Sequence, residues 1–321
     1  MNIDRYKSLF LDYLKQKSLV KEPQNLYDPI NYIINLGGKR LRPIMVLMAC
    51  DILDGDLDDA FDAALAIEMF HNFSLIHDDI MDKAPIRRGK PTVHVKWDLN
   101  TGILSGDAML ILANTFFNSY SGSTYKSLQL LFNQTALEVC EGQQYDMDFE
   151  SKETVSLESY IKMIRYKTAV LVAASLKMGA IIAQANDKDA QNLYNFGLNL
   201  GIAFQLQDDY LDVYAQADFG KQQAGDILEN KKTFLFLKAL EMADNEDKNK
   251  LLHLYKIKGG DNNKVLKVKQ IFDKYDVPKT LEKEIEAYTV KSIISLNKIA
   301  LENDKKDFLK SFSEDLMHRT I

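Results

Sequence analysis

The stretch "SLIHDDIMDKAPIRRGK", Ser74 to Lys90, holds three carboxylates, Asp78, Asp79 and Asp82, followed by Arg87, Arg88 and Lys90. The same DDxxD spacing recurs in "QDDYLD", with Asp208 and Asp212 at its ends. In a helix, residues i and i+4 share a face, so each motif aligns two acids one turn apart. Like charges placed this way cost a helix roughly 0.2–0.5 kcal/mol per pair. A solvated structural face would put Lys or Arg one turn away. Here the neighbours are Ser74 and Ile86 around the first pair, and Phe204 and Gln216 around the second; only Asp79 has a base at helical spacing, Lys83. Hard oxygen donors without Cys or a His pair suit Mg²⁺, which binds through a few carboxylates together with substrate phosphates. Arginine forks and a lysine point charge suit the phosphate oxygens. Acids and bases are thus both expected to await a metal-bound diphosphate and not to neutralise each other.

A third DDxxD, Asp58, Asp59 and Asp62, is the control. It follows "DILDGD" at a helix start, where carboxylates favour the positive end of the helix dipole. It lies about twenty residues, or ~30 Å, before Asp78 on one continuous helix, and nothing basic follows it. It reads as ordinary helix-end chemistry.

"LGGKRLRP", Leu36 to Pro43, supplies a second basic cluster in Lys39, Arg40 and Arg42. Its glycines suit a helix C-terminus, and the next helix start offers free N–H groups to an anion. Neither a Walker loop nor a GxGxxG motif is present. Glu68-x-x-His71 is a di-iron bundle element, but no second ExxH accompanies it. His71, two turns before Asp78, is expected to reach the same cavity. Lys167 and Thr168 fall inside an apolar helix, where a lysine is costly to bury alone. Gln205 shares a face with Asp208.

The elements that must position these groups are helices. Periodicity predicts them over Ile3–Lys17, Tyr27–Leu36, Leu41–Leu53, Leu57–Asp82, Thr101–Tyr120, Lys126–Phe149, Leu157–Ala183 and Lys188–Tyr214. A looser segment, Phe219–Asn230, precedes further helices from about Lys232 onward. No strand pattern stands out, and no Gly/Pro/Ser-rich linker divides residues 1–321, so a single all-α domain is expected.

Six prolines and 15 glycines in 321 residues favour long helices, and a net charge of −6 argues against general nucleic-acid binding. Two cysteines offer no disulfide framework. The opening "MNIDRYKSLFLDYLKQK" lacks the apolar run of a signal peptide, and no stretch approaches the ~20 apolar residues of a membrane span. A cytoplasmic location follows as the expectation.

Together "GGKRLRP", "HNFSLIHDDIMD", "RRGKPTVH", "KTA", "FQLQDDYLD", "FGK" and "GDILENKK" closely resemble the motifs of trans-type isoprenyl diphosphate synthases, from about Leu36 to Lys232. The resemblance implies an all-α bundle around a deep central cavity, usually a homodimer. It implies that Asp78, Asp82 and Asp208 ligate Mg²⁺, with Asp79 and Asp212 ligating or supporting. Arg87, Lys167, Lys231 and Lys221 would hold an allylic diphosphate; Lys39, Arg42, His71 and Arg88 would bind isopentenyl diphosphate. Thr168 and Gln205 would place oxygens near a developing cation. Product length would be set by Phe73, five residues before Asp78 and ~7.5 Å deeper, and by Phe70, ~12 Å deeper, with small Ser74 leaving the pocket open. A C15 to C20 product is expected, C20 preferred. A class I terpene cyclase, a non-catalytic subunit of a heteromeric synthase and a structural scaffold are the rivals. The first would lack "GGKRLRP", the second usually loses an acid motif, and the third predicts no Mg²⁺-dependent activity.

Overall fold

A computed structural model describes residues 2–17, 21–215, 224–257, 259 and 262–318. Among the described residues sixteen α-helices follow in order: α1 Ile3–Gln16, α2 Gln24–Asn35, α3 Leu41–Ile52, α4 Leu57–Met81, α5 Val93–Lys96, α6 Leu99–Thr115, α7 Gly122–Ser151, α8 Leu157–Ile164, α9 Val170–Ile182, α10 Asp187–Tyr214, α11 Gly225–Leu228, α12 Phe234–Met242, α13 Asn245–Leu254, α14 Asn262–Lys274, α15 Val277–Asn297 and α16 Asn303–His318. The sole sheet among the described residues is a hairpin, β1 Ile86–Arg87 with β2 Lys90–Pro91. No described helix is long and apolar enough to cross a membrane.

The two helices that carry the acid motifs run through the middle of the bundle. Helix α4 packs on α3 and α6, and α10 packs on α9 and α15. The apolar interior forms two clusters that α10 bridges: Leu193, Phe196 and Leu200 lie in one, Ile202, Leu206 and Val213 in the other. The third DDxxD is used structurally. Asp56 caps α4 by accepting the Asp58 N–H at 2.9 Å, and Asp62 accepts the Tyr13 hydroxyl at 2.6 Å, docking α1.

Three local departures from the sequence expectation matter. The helix expected over Leu157–Ala183 is interrupted by a π-helical segment, Arg165–Ala169, that contains Lys167 and Thr168. Such segments change the direction in which side chains leave a helix. Second, α4 ends at Met81 in a Schellman motif: the Ala84 N–H reaches Asp79 O at 2.9 Å and the Lys83 N–H reaches Ile80 O at 3.2 Å. Lys83 takes a left-handed φ of 52°, so it no longer lies one helical turn from Asp79. Third, "RRGK" is a hairpin turn with Arg88 and Gly89 at φ 52° and 72°, the positive values a type I′ turn demands.

Candidate active site

Asp82 sits at the C-cap of α4, and its N–H donates to Asp78 O at 2.8 Å, so the two acids remain one turn apart. Burial pushes the Asp78 carboxyl up to about 6; Lys167 pulls against this, while Asp82 and Asp79 add to it. Asp82 is raised too, by burial first, with Lys167 and Lys231 opposing. A carboxyl that holds its proton more tightly folded than unfolded opposes folding as pH rises. For Asp78 that cost begins above its ordinary 3.8 and is complete above about 6. A bound cation would remove it.

Asp79 behaves differently. Its buried carboxylate accepts two bonds from Arg87, Nε to Oδ2 and Nη2 to Oδ1, both 2.8 Å. This corrects the expectation that acids and bases stand apart: one of the three acids is paired with the hairpin. Asp79 thus braces Arg87.

One pocket gathers residues from distant segments: Asp82 from α4, Lys167 and Thr168 from the π segment, Gln205 from α10, and Lys231. The Thr168 hydroxyl donates to Gln205 Oε1 at 3.1 Å, and the Lys167 ammonium pairs with Asp146 on α7. On α10, Asp208 lies three residues beyond Gln205, and Asp212 one turn further. The Asp212 carboxylate accepts the Asp226 N–H at 3.0 Å. Burial and Asp212 push Asp226 up to about 6, and burial pushes Asp209 up to about 7. Lys221 lies outside the described residues.

A second pocket unites Gly38, Lys39, Arg40, Arg42, Glu68, His71 and Arg88. His71 lines this pocket. Arg42 Nη1 lies 3.2 Å from His71 Nε2. Arginine can only donate, so Nε2 accepts and the imidazole proton is on Nδ1. Burial, then the charges of Arg42 and Arg88, hold His71 well below its usual range, so the ring is neutral. The Arg88 guanidinium donates to Gly37 O and lies over Gly38. A Cβ on Gly38 would fall 2.9 Å from Arg88 Cζ, and φ there is +122°. Glycine is required on both counts.

Several residues escaped the sequence reading. Glu68, considered only for iron, is buried against Arg40 and accepts Asn72 Nδ2 at 2.8 Å. Asp209 accepts the Tyr160 hydroxyl and the Phe234 N–H, tying α10 to α8 and α12. Asp146 pairs with Lys167. The available signal was Gly142 in "EGQQYD", since a glycine inside a helical pattern marks close approach. A Cβ at Gly142 would sit 2.2 Å from the Lys167 backbone nitrogen. Gly142→Ala is therefore expected to displace the π segment and lower kcat/KM about 10²-fold, checked by steady-state kinetics on the purified variant.

Phe70 and Phe73 lie in the interior, their ring centroids 5.5 Å apart. Phe70 meets Phe132 of α7 edge-on at 5.4 Å, and Phe132 meets Phe117 at 5.1 Å. The α7 contribution to this wall was not foreseen. The Ser74 hydroxyl turns back to His71 O at 2.9 Å. Among the described residues, no three His, Cys, Asp or Glu side chains converge tightly enough to hold an ion by themselves. Hard carboxylates in two separate arms fit Mg²⁺, which keeps waters and shares its shell with phosphate oxygens.

Residues 23–275 match the model of the polyprenyl synthetase family. The geranylgeranyl diphosphate synthase of Methanosarcina mazei is 40 % identical over 225 residues, 69 % of each chain. The geranylfarnesyl diphosphate synthase of Natronomonas pharaonis is 40 % identical over 239 residues, 68 % of this chain and 70 % of that one. The crystal structure of a geranylgeranyl pyrophosphate synthase superposes with a TM-score of 0.94 at 45 % identity, covering 99 % of both chains. With the family model matched over most of its length and a fold shared almost end to end, the chain belongs to the polyprenyl synthetase family.

Proposed function

We propose that the chain is one functional domain, a Mg²⁺-dependent prenyltransferase that joins an allylic diphosphate head to tail with isopentenyl diphosphate. The product is a short all-trans prenyl diphosphate of C15 to C20, with C20 favoured. The observation that carries the reading is the convergence of Asp82, Lys167, Thr168, Gln205 and Lys231 in one pocket beside a second pocket of Lys39, Arg42, Arg88 and neutral His71. Mg²⁺ held by Asp78, Asp82 and Asp208, with Asp212 in support, would neutralise the departing diphosphate. Arg87, Lys167 and Lys231 hold that diphosphate, a role the family resemblance extends to Lys221, and stabilise the charge that grows on its oxygens. Lys39, Arg42, Arg88 and His71 orient isopentenyl diphosphate so that its double bond faces the allylic carbon. The Thr168–Gln205 pair turns oxygen dipoles toward the cation, and the apolar interior excludes water that would quench it.

Relatives named for C20 and C25 products stand at equal identity, and the Phe70–Phe73–Phe132 cluster supports the shorter length. Phe70→Ala and Phe73→Ala are each expected to shift the main product at least one C5 unit longer, read by chromatography of dephosphorylated products. An unchanged distribution would remove these rings as the floor.

A homodimer is part of this reading. Leu104 and Ile111 on α6, and Leu130 and Leu137 on α7, repeat at two-turn spacing and are 57–64 % exposed. The end of α6 is tied to the early turns of α7 through Asn114 and Gln129. Such a face suits burial against a second copy. Incubation with dimethylallyl, geranyl or farnesyl diphosphate, labelled isopentenyl diphosphate and Mg²⁺ tests the activity. Labelled C20 diphosphate is the expected product. Diphosphate release without uptake of label would indicate a cyclase, and no reaction would favour a scaffold.

A further inference from the structure

The turn Glu229–Lys232 brings Lys231 to the acidic pocket, and its backbone is fixed from two sides. Helix α11 ends in a Schellman motif, with the Lys231 N–H on Asp226 O at 2.9 Å and the Asn230 N–H on Ile227 O at 3.3 Å. Asn230 takes the left-handed φ of 61° that the motif needs. Its side chain is used at both ends: Nδ2 donates to Ile257 O at 3.0 Å, and Oδ1 accepts Lys264 Nζ at 2.7 Å. Lys264, on α14 and only 4 % exposed, also donates to Ile257 O at 3.0 Å and Gly259 O at 2.9 Å. An ammonium has three N–H donors to offer such contacts. On the other side, Lys232 Nζ donates to Phe149 O at 2.6 Å and to Lys152 O at the end of α7. The last carbonyls of a helix have no partners within it, and Lys232 supplies one. Lys231 stands between these two anchors, 3.0 Å from Glu229 and 3.8 Å from Asp226.

Burying an ammonium is expensive, so its place needs a reason. Lys264 does not line the pocket, yet it grips the residue next to Lys231. Resting on the reading that Lys231 holds the allylic diphosphate, we propose that Lys264 is a positioning residue for that diphosphate, acting through Asn230, with Lys232 as the matching anchor on α7. The second pocket, with Lys39, Arg42, His71 and Arg88, includes none of these groups. The two substrates should therefore respond differently.

The test compares wild type, Lys264→Met and Asn230→Gly with both substrates varied in turn. Glycine keeps the left-handed backbone at 230 and removes both side-chain bonds. Each variant is expected to raise the KM for the allylic diphosphate about tenfold while the KM for isopentenyl diphosphate stays within about twofold. The double variant should be no worse than the poorer single one, because both remove the same link. A purely structural role would lower the amount of active enzyme, or move both KM values together, and either result overturns the proposal. So does an unmoved allylic KM, or full additivity in the double variant. Should Lys264→Met fail to fold by circular dichroism, Asn230→Gly decides between the same outcomes. Wild type without condensation activity would refute the functional reading itself, whereas an active wild type with unmoved variants refutes only the role of Lys264.

Discussion

Changing Asp78 to asparagine is expected to lower kcat for condensation about 10³-fold, with the fold intact by circular dichroism. The substitution keeps shape and hydrogen-bonding reach but removes one negative charge. Preorganised charge aimed at the reacting group is commonly the largest single contribution to a rate, and removing one such group costs about 10²–10³. Asp78 is placed for that sensitivity, because burial and its acidic neighbours already oppose its ionised form, pushing it up to about 6. A divalent cation is the natural counterweight. The matched control is Asp58→Asn in the third DDxxD, where the acid sits in the first turn of α4, far from both pockets. Its kcat should stay within about twofold of wild type, since surface changes at a helix end act mainly on stability. Equal losses in both variants would mean that the DDxxD pattern, and not its position, governs activity, and would undercut the site.

The second large effect concerns stability. Glu68 and Arg40 are each 3 % exposed at the side chain, and Arg40 also donates to Ile34 O. Removing one partner of a buried pair leaves an uncompensated charge and typically costs about 3–5 kcal/mol. Glu68→Ala is expected to lose about that much in urea unfolding. Arg40→Met combined with Glu68→Met should recover most of it, since apolar replacement of a whole buried pair is often neutral or stabilising. Arg40 is also the left-handed residue that opens α3, at φ 56°, so the pair fixes the helix start from which Arg42 reaches His71. A loss below about 1 kcal/mol for Glu68→Ala would show the pair to be solvated in solution.

The helices were legible because their apolar residues repeat at helical spacing over long stretches. The bounds of α4 and α10 differ from expectation by a residue or so. The two acid motifs that end long apolar helices were separable from the third by that setting, and the first of them also by the basic residues that follow it. Long-range pairing was not legible. Nothing in "DDIMDKAPIRRGK" says that Arg87 folds back onto Asp79, because that bond depends on a two-residue hairpin too short for any strand periodicity. The pairing of Glu68 was hidden for the same reason, since its partner lies 28 residues away on another element. The π segment was hidden because Lys167 and Thr168 interrupt an apolar pattern that still reads as helix on both sides. Lys264 gave no sequence signal at all; its importance rests on three carbonyl oxygens that only the folded chain brings together.

The most direct test of the account is a crystal structure of the protein with Mn²⁺ and inorganic pyrophosphate, the ions located by anomalous scattering. Metal peaks should appear in the first coordination shells of Asp78 or Asp82 and of Asp208, bridged by a single pyrophosphate that also touches Lys167 and Lys231. Metals confined to the α4 carboxylates, with Asp208 too far away to share the pyrophosphate, would contradict it.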